Sequence, residues 1–281
     1  MLSALISYML QFRYNFYRKM FIKTLEEITI KDISTVGGKA ASLGELTQLG
    51  IPVPSGFVVT AQAFTKPPPN FEKEILKAFA DLKVSRVAVR SSAIVEDGKK
   101  SSWAGQLESY LNVFRRDLIQ RVKVCHVSIY SKRALAYAID KGIPKDQMLV
   151  AVIVQRMIPS KVSGVMFTAN PVDNNYKQIM IEAAFGLGES LVQGRVTPDC
   201  YVVEKDTLKI MLVPNNKEIS EVTIPKKTQN KATLTNRQVL EITKLGIKIE
   251  NHFQTPQDIE WAIDRENKIW ILQSRPVTTL V

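Results

Sequence analysis

From Phe21 onward, short runs rich in β-branched and apolar residues alternate with runs of helical periodicity, and this alternation restricts the fold more than any other feature. The predicted strands are 86–90, 149–157, 164–168, 178–183, 201–204, 258–263 and 269–273. A chain of 281 residues, 45% of them hydrophobic, can bury a full core. We therefore predict a mixed α/β (α+β) protein with one large domain or two lobes.

Three segments have the apolar spacing of helices. Residues 39–49 repeat alanine or leucine every three positions, and residues 71–82 place phenylalanine or isoleucine every four. In the third, Thr235 and Gln238 form the capping-box pattern that precedes an apolar helical stripe. Pro67 to Pro69 predict a stiff connector, and the polar, lysine-rich residues 215–231 predict an exposed loop.

Cysteine and histidine are too few for several kinds of site. Cys125 and Cys200 have no partner at metal-ligand spacing, which disfavours a disulfide framework and a cysteine-based zinc site. His126 and His252 lie far apart in sequence, which excludes an HExxH metal site. This composition fits a reducing cytoplasm and leaves lysine, arginine, carboxylates and amides to carry any chemistry.

The chain is basic, with 38 lysines and arginines against 27 acidic residues and a net charge of +11. Such a charge favours an anionic partner, which can be a nucleotide, a nucleic acid, an acidic protein or a membrane surface. No apolar run reaches the ~18–20 residues of a membrane-spanning helix. We therefore expect a soluble protein with no stable membrane insertion.

The first 19 residues are apolar and aromatic before they are basic, which is the reverse of a secretory signal. We expect residues 1–20 to be an extension outside the fold, with Met20 as the functional start. An amphipathic helix that touches a membrane surface is the alternative.

The first candidate anion site is the sequence Val36-Gly37-Gly38-Lys39, which leads directly into the first predicted helix. Two glycines allow a close backbone approach, the helix N-terminus offers N–H groups, and Lys39 adds a positive charge. The sequence lacks the spacing of a Walker A loop. A simple turn before a helix is the alternative to phosphate binding.

A second candidate begins where the strand 86–90 ends in Arg90, whose guanidinium suits phosphate oxygens. The loop SSWAGQ, which contains Ser102 and Gly105, supplies hydroxyl and backbone N–H groups that can close over a polyphosphate. The alternative is a solvated loop in which Arg90 pairs with Glu96 or Asp97.

Two further strand ends carry polar residues. The strand 149–157 ends in Gln155, Arg156 and Met157, and we predict that the following Pro159 frees an edge whose backbone groups hydrogen-bond an adenine ring. Core packing is the alternative. Glu182 lies near the end of another strand, before a Gly-x-Gly turn that is too short for a dinucleotide fingerprint.

The last two predicted strands form a β-hairpin with polar residues on one face. Asp258 and Glu260 alternate on the first strand, and Gln273 and Arg275 alternate on the second. Oxygen donors beside a phosphate are typical of Mg²⁺ sites. The alternative is a solvated face with a cross-strand pair between Asp258 and Arg275.

Five ordered blocks together resemble the ATP-binding domain of the phosphoenolpyruvate synthase (pyruvate, water dikinase) family across residues 24–277. They are GGKAASLGEL; VRSSAIVEDGKKSSWAGQLESYLNV; VQRM with SGVMFTANP; EAAFGLGESLVQG with TPD; and QDIEWAID with ILQSRP. The resemblance implies a two-lobed ATP-grasp fold with ATP between the lobes. Residues 21–148 would form the first lobe, with a reduced helical cap near 65–83, and residues 149–281 the second, with a metal-binding hairpin.

The resemblance also implies roles for single residues. Lys39 and Arg90 would bind phosphates, and the loop with Ser102 and Gly105 would cover them. Gln155, Arg156 and Met157 would hold adenine, with Glu182 nearby on the nucleotide. Glu260 and Gln273 would ligate Mg²⁺ with support from Asp258, and Arg275 would stabilise the transferring group.

The family passes a phosphoryl group from ATP to a histidine on a swivelling domain and converts pyruvate, ATP and water to phosphoenolpyruvate, AMP and phosphate. The chain has no TxHAA-type segment, and neither His126 nor His252 fits the carrier role. The resemblance therefore implies a histidine supplied in trans and no nucleic-acid partner. The alternatives are the ATP half of a rifampicin-type phosphotransferase and a non-catalytic nucleotide-binding module.

Overall fold

The computed structural model describes residues 20–95, 103, 107–192, 194–213, 232–278 and 280. The predictions for residues 1–19, Ser102, Gly105 and 215–231 lie outside these residues. The chain divides into two compact units. Unit 1 comprises residues 1–48 and 55–157, and unit 2 comprises residues 49–54 and 158–281.

Unit 1 is built on a five-stranded antiparallel sheet with the strand order β1-β2-β5-β3-β4. Its strands are β1 (Ile22–Thr24), β2 (Gly56–Val59), β3 (Arg86–Ala93), β4 (Ser109–Phe114) and β5 (Val150–Arg156). Its helices are α1 (Ile33–Val36), α2 (Gly38–Gln48), α3 (Ala61–Thr65), α4 (Phe71–Asp81), α5 (Leu118–Val127) and α6 (Lys132–Asp140). Short 3-10 turns lie at Leu25–Glu27, Ile30–Asp32, Ser128–Tyr130 and Lys145–Gln147.

One face of the unit 1 sheet borders the hydrophobic core. Val87 and Val89 of β3 and Val154 of β5 belong to this core and are fully buried. Successive side chains of a strand point to opposite faces. Arg90 and Ser92 of β3 therefore lie on the other face, which is the face available for a polar site.

Unit 2 is built on a six-stranded antiparallel sheet with the order β11-β10-β6-β7-β8-β9. Its strands are β6 (Val162–Phe167), β7 (Gln178–Phe185), β8 (Asp199–Glu204), β9 (Ile210–Val213), β10 (Gln257–Ile263) and β11 (Ile269–Pro276). Its helices are the short α7 (Gly188–Val192) and the long α8 (Asn236–Phe253).

Helix α8 covers one face of the unit 2 sheet. At Gly246 of α8, a Cβ atom would lie only 2.7 Å from the sulfur of Met166 on β6, so the glycine permits the helix to approach the sheet. On the same face the buried Trp261 lies against Gly164, where a Cβ would meet the indole ring at 2.3 Å. Residues of the opposite parity, such as Val165 and Glu260, therefore lie on the face away from α8.

The structure confirms the predicted mixed α/β (α+β) class, and each of the seven predicted strands and three predicted helices is present. The capping box is formed as predicted, since Gln238 N donates to Thr235 Oγ1 at 3.3 Å and Thr235 N donates to Gln238 Oε1 at 3.0 Å.

Strand β5 follows the predicted lobe boundary at 148/149, yet it pairs with β2 and β3 inside unit 1. Within the described ranges, no helix is long and apolar enough to cross a membrane.

Candidate functional site

The N-terminus of α2 is attached to the end of β3. Ala40 N in the first turn of the helix donates a hydrogen bond to Ser92 Oγ at 3.2 Å. Gly37 precedes the helix with φ 80° and ψ 165°, a conformation open essentially only to glycine. A Cβ there would lie 2.4 Å from Ser92 Oγ and 2.6 Å from the carbonyl oxygen of Ala93. The glycine therefore permits direct contact between the helix start and the strand.

This attachment brings two predicted phosphate ligands to the same part of unit 1. Lys39 is the residue before Ala40, and Arg90 lies two residues before Ser92 on the same face of β3. Both side chains are partly exposed. Sequence reasoning did not assign a role to Ser92, although its alternation with Arg90 could have identified it. Helix N–H groups, an ammonium and a guanidinium together suit an anion.

The predicted adenine segment differs from the expected strand edge. Strand β5 is an interior strand between β2 and β3, so the prediction of a free edge is wrong. Arg156 N donates to the carbonyl of Ser55 at 2.8 Å, and Met157 N donates to the carbonyl of Arg86 at 3.2 Å. Alternation also places Gln155, which is buried, and Arg156, which is exposed, on opposite faces. The N–H groups of Arg156 and Met157 therefore bind within unit 1, although the sequence predicted that backbone groups of this segment bind adenine.

In unit 2, polar residues lie in one cross-strand row. The register pairs Val165 of β6 with Glu182 of β7 and with Glu260 of β10, and it pairs Glu260 with Gln273 of β11. Directly paired residues point their side chains to the same face. With strands about 4.8 Å apart, the backbones of Glu260 and Gln273 are one spacing apart, whereas Glu182 is roughly 10 Å from Glu260. Glu260 and Gln273 can therefore share one small cation.

The next row of the same face contains an ion pair. Asp258 of β10 pairs with Arg275 of β11, and Asp258 Oδ2 accepts hydrogen bonds from Arg275 Nε at 2.8 Å and Nη2 at 2.6 Å. This is the cross-strand pair that the sequence left open as an alternative. Because Asp258 and Glu260 are two residues apart on one strand, the pair lies beside the row that contains Glu260.

Burial changes the acidity of two carboxyl groups on this face. Burial raises the pKa of Glu182 above its ordinary value. The pKa of Asp258 is also raised, mainly by burial, against the opposing charge and hydrogen bonds of Arg275 and with a further increase from Glu260. These carboxylates are therefore partly shielded from water. In such surroundings their charges act more strongly on a bound cation than they would in bulk water.

The donor set fits Mg²⁺ as a partner of phosphate rather than as an ion held by protein alone. Glu260 supplies a carboxylate and the buried Gln273 an amide oxygen on the same face. Among the described residues, no group of three or more histidine, cysteine or acidic side chains could hold a metal ion. Mg²⁺ commonly binds through one or two carboxylates together with waters and substrate phosphates.

His126 occupies a structural position in unit 1. Its ring stacks on Phe64 with the centroids 3.9 Å apart and an angle of 4° between the planes. Its Nδ1 lies 3.2 Å from the carbonyl oxygen of Val150. Burial lowers its pKa, against the opposing effect of this carbonyl. These contacts explain the residue as a packed aromatic ring.

Comparison with known proteins identifies related sequences across most of the chain. The family described as "Pyruvate phosphate dikinase, AMP/ATP-binding domain" matches residues 33–67 and 65–281. A phosphoenolpyruvate synthase of Pyrococcus furiosus is 36% identical over 92% of this chain and 44% of the relative. A probable phosphoenolpyruvate synthase of Archaeoglobus fulgidus is 38% identical over 91% of this chain and 41% of the relative. The chain thus spans less than half the length of these relatives.

The solved structure of a D-alanyl-alanine synthetase A from Vibrio cholerae aligns with 85% of this chain and 54% of its own chain. The TM-score is 0.41 and the sequence identity is 12%.

Proposed function

Because the chain belongs to the pyruvate phosphate dikinase AMP/ATP-binding domain family, as its sequence motifs predicted, we propose that it is the nucleotide component of a dikinase of the phosphoenolpyruvate synthase type. In this proposal, units 1 and 2 are the lobes of an ATP-grasp domain. The domain binds Mg·ATP and, in a reaction that also consumes water, delivers the β-phosphoryl group to a histidine of another domain or chain in the cytoplasm, with release of AMP and of the γ-phosphate as inorganic phosphate.

The attachment of α2 to β3 is the observation that carries the proposal. It holds the start of a helix, Lys39 and Arg90 in one part of unit 1 through the contact between Ala40 and Ser92. In phosphoryl transfer the protein mainly positions the reactants and neutralises charge, so a preassembled cationic cradle is the element that such chemistry needs most. Lys39 and Arg90 would bind the phosphate oxygens.

Unit 2 would provide the metal ligands and a second cation. Glu260 and Gln273 would hold Mg²⁺, which when bound neutralises charge on the phosphates. Arg275 would stabilise the negative charge of the group in transfer, and Glu182 would contact the nucleotide away from the metal. Gln155 to Met157 would hold the adenine ring, chiefly through side-chain and carbonyl contacts because the N–H groups of Arg156 and Met157 bind within the sheet.

A reconstituted transfer reaction tests this function. The chain is mixed with a separately expressed swivelling domain of the synthase type and with ATP that carries radioactive β-phosphate. We expect acid-labile label on the swivelling domain together with AMP and inorganic phosphate. Two controls are the same domain with its histidine replaced by alanine and the chain with Lys39→Ala, and neither should give label.

Three results would contradict the proposal. AMP formation at the same rate with and without the swivelling domain would indicate a self-sufficient ATPase or another acceptor. ATP binding with neither AMP formation nor label would indicate a non-catalytic nucleotide-binding module. Transfer to a small molecule such as an antibiotic would instead support the rifampicin-type alternative.

A further inference from the structure

We infer that Asp258 is a positioning residue that orients Arg275, and that it is not a ligand of the metal ion. This inference rests on the proposed function, which gives Arg275 its role toward the transferring phosphoryl group. It also gives Asp258 a role different from the one that the family resemblance implies, which is to support the metal ligands.

Asp258 and Arg275 are joined by two short hydrogen bonds between charged groups. One carboxylate oxygen, Asp258 Oδ2, accepts hydrogen bonds from both Nε and Nη2 of Arg275, at 2.8 and 2.6 Å. Two donors bound to one acceptor fix the plane of a guanidinium, and hydrogen bonds between ions are about twice as strong as neutral ones. The side chains are 12% and 22% exposed, so water competes weakly for these contacts. Arg275 is therefore held in one orientation.

A buried network on the other face fixes the backbone beneath the pair. Gln257 N donates to Thr168 Oγ1 at 2.8 Å, and Ser274 Oγ donates to Gln257 Oε1 at 2.8 Å. All three residues are almost fully buried. Gln257 is the neighbour of Asp258, and Ser274 is the neighbour of Arg275. The network thus connects β10, β11 and the residue that follows β6 where the pair is formed, and it limits relative movement of β10 and β11.

The geometry separates Asp258 from the proposed metal ligands. Asp258 lies one row from the pair formed by Glu260 and Gln273, which is about 7 Å along the strand. Ligand oxygens of Mg²⁺ lie at only about 2.0–2.1 Å from the ion, and the ion needs few protein carboxylates when phosphate is present. Since Oδ2 of Asp258 already accepts two donors, the arrangement suits orientation of Arg275 better than metal binding.

The test compares Asp258→Asn with Arg275→Ala, the double variant and Glu260→Gln in the full chain. The first readout is the NMR signal of the Arg275 Nε–H group in the absence of nucleotide, which reports how strongly the guanidinium is held. The second is the Mg²⁺ concentration required for half-maximal ATP binding. The third is ATP affinity by calorimetry at saturating Mg²⁺.

For Asp258→Asn we expect fast solvent exchange of the Arg275 Nε–H group and an ATP affinity about tenfold lower. Adding Arg275→Ala should cause little further loss, because both changes remove the same oriented guanidinium. The Mg²⁺ requirement should stay within about twofold of the native value. In Glu260→Gln it should rise at least tenfold.

An unchanged Arg275 signal in Asp258→Asn, or a Mg²⁺ requirement that rises as far as in Glu260→Gln, would overturn the inference. If the native chain bound no Mg·ATP, the proposed function would fail, yet the NMR signal would still decide whether Asp258 orients Arg275. Asp258→Glu retains the carboxylate and should restore part of the Arg275 signal. Lys205→Met, which breaks a partly buried ion pair with Glu250 elsewhere in unit 2, controls for loss of stability alone.

Discussion

Ser92 of β3 accepts a hydrogen bond from the backbone N–H of Ala40, at an Oγ to N distance of 3.2 Å, and thereby joins a helix N-terminus to the strand that carries Arg90. The contact is possible because Gly37 has no side chain where it meets Ser92 and Ala93. The absence of a side chain at Gly37 thus allows the helix start next to Lys39 to contact the strand that carries Arg90.

Gly37→Ala should lower the free energy of unfolding by ~3 kcal/mol or more, because the change adds backbone strain and a collision with β3. Gly142→Ala is the matched control, since Gly142 has φ +63° but no atom within 4 Å of the added Cβ. We expect that control to cost only about 1–2 kcal/mol. Urea denaturation measures both values. Equal losses in the two variants would show that the contact with Ser92 has no energetic role.

His126 should make stability depend on pH below about 6.5, the ordinary pKa of histidine. Burial lowers its pKa in the folded state, so the unfolded chain binds a proton more readily. The stabilising contribution is therefore complete above the unfolded-state pKa and is lost as the pH falls through the folded-state pKa. Urea denaturation at pH 7.5 and 5.5 should show a smaller loss of stability in His126→Phe than in the native chain.

Phenylalanine keeps a ring stacked on Phe64 but cannot titrate, so the comparison isolates the proton. His252→Phe is the control, because His252 is exposed at the end of α8. We expect it to retain the native dependence on pH. Identical pH dependence in His126→Phe and the native chain would refute this account of the residue.

In the reconstituted reaction with the swivelling domain, Glu260→Gln should raise the Mg²⁺ concentration needed for ATP turnover at least tenfold, because the change keeps the shape of the side chain but removes the charge that a hard cation requires. The matched control is Glu266→Gln, which makes the same chemical change at an exposed turn of the same hairpin. The control should behave as the native chain does. Native metal-dependent turnover in Glu260→Gln would disprove the ligand assignment.

Elements with strong local signals were predictable from the sequence. Helix α8 has a capping box and a regular apolar stripe, and the last hairpin has clear alternation, so both were predicted close to their observed bounds. Helix α5 was not predicted. It is rich in β-branched valine, which lowers helix propensity, and it is stabilised by burial of Leu118, Val122 and Cys125 at helical spacing.

The candidate site was predictable at the level of residue types and only partly at the level of geometry. Alternation within a hairpin correctly placed Asp258 and Arg275 opposite each other as one of two interpretations. The row that contains Glu182 and Glu260 depends on β6 lying between their strands, which is a long-range pairing with no local signal. For the same reason the sequence did not show that β5 is an interior strand.

Lys39 and Arg90 would form the phosphate-binding part of the proposed ATP site, and calorimetric titration with Mg·ATP measures their contribution to affinity. Lys39→Ala and Arg90→Ala should each lose ~1.5–3 kcal/mol of charge-assisted contact, which is tenfold or more in affinity. Arg86→Ala removes an exposed arginine from the other end of β3 and should bind as the native chain does. Unchanged affinity in both Lys39→Ala and Arg90→Ala would contradict the account.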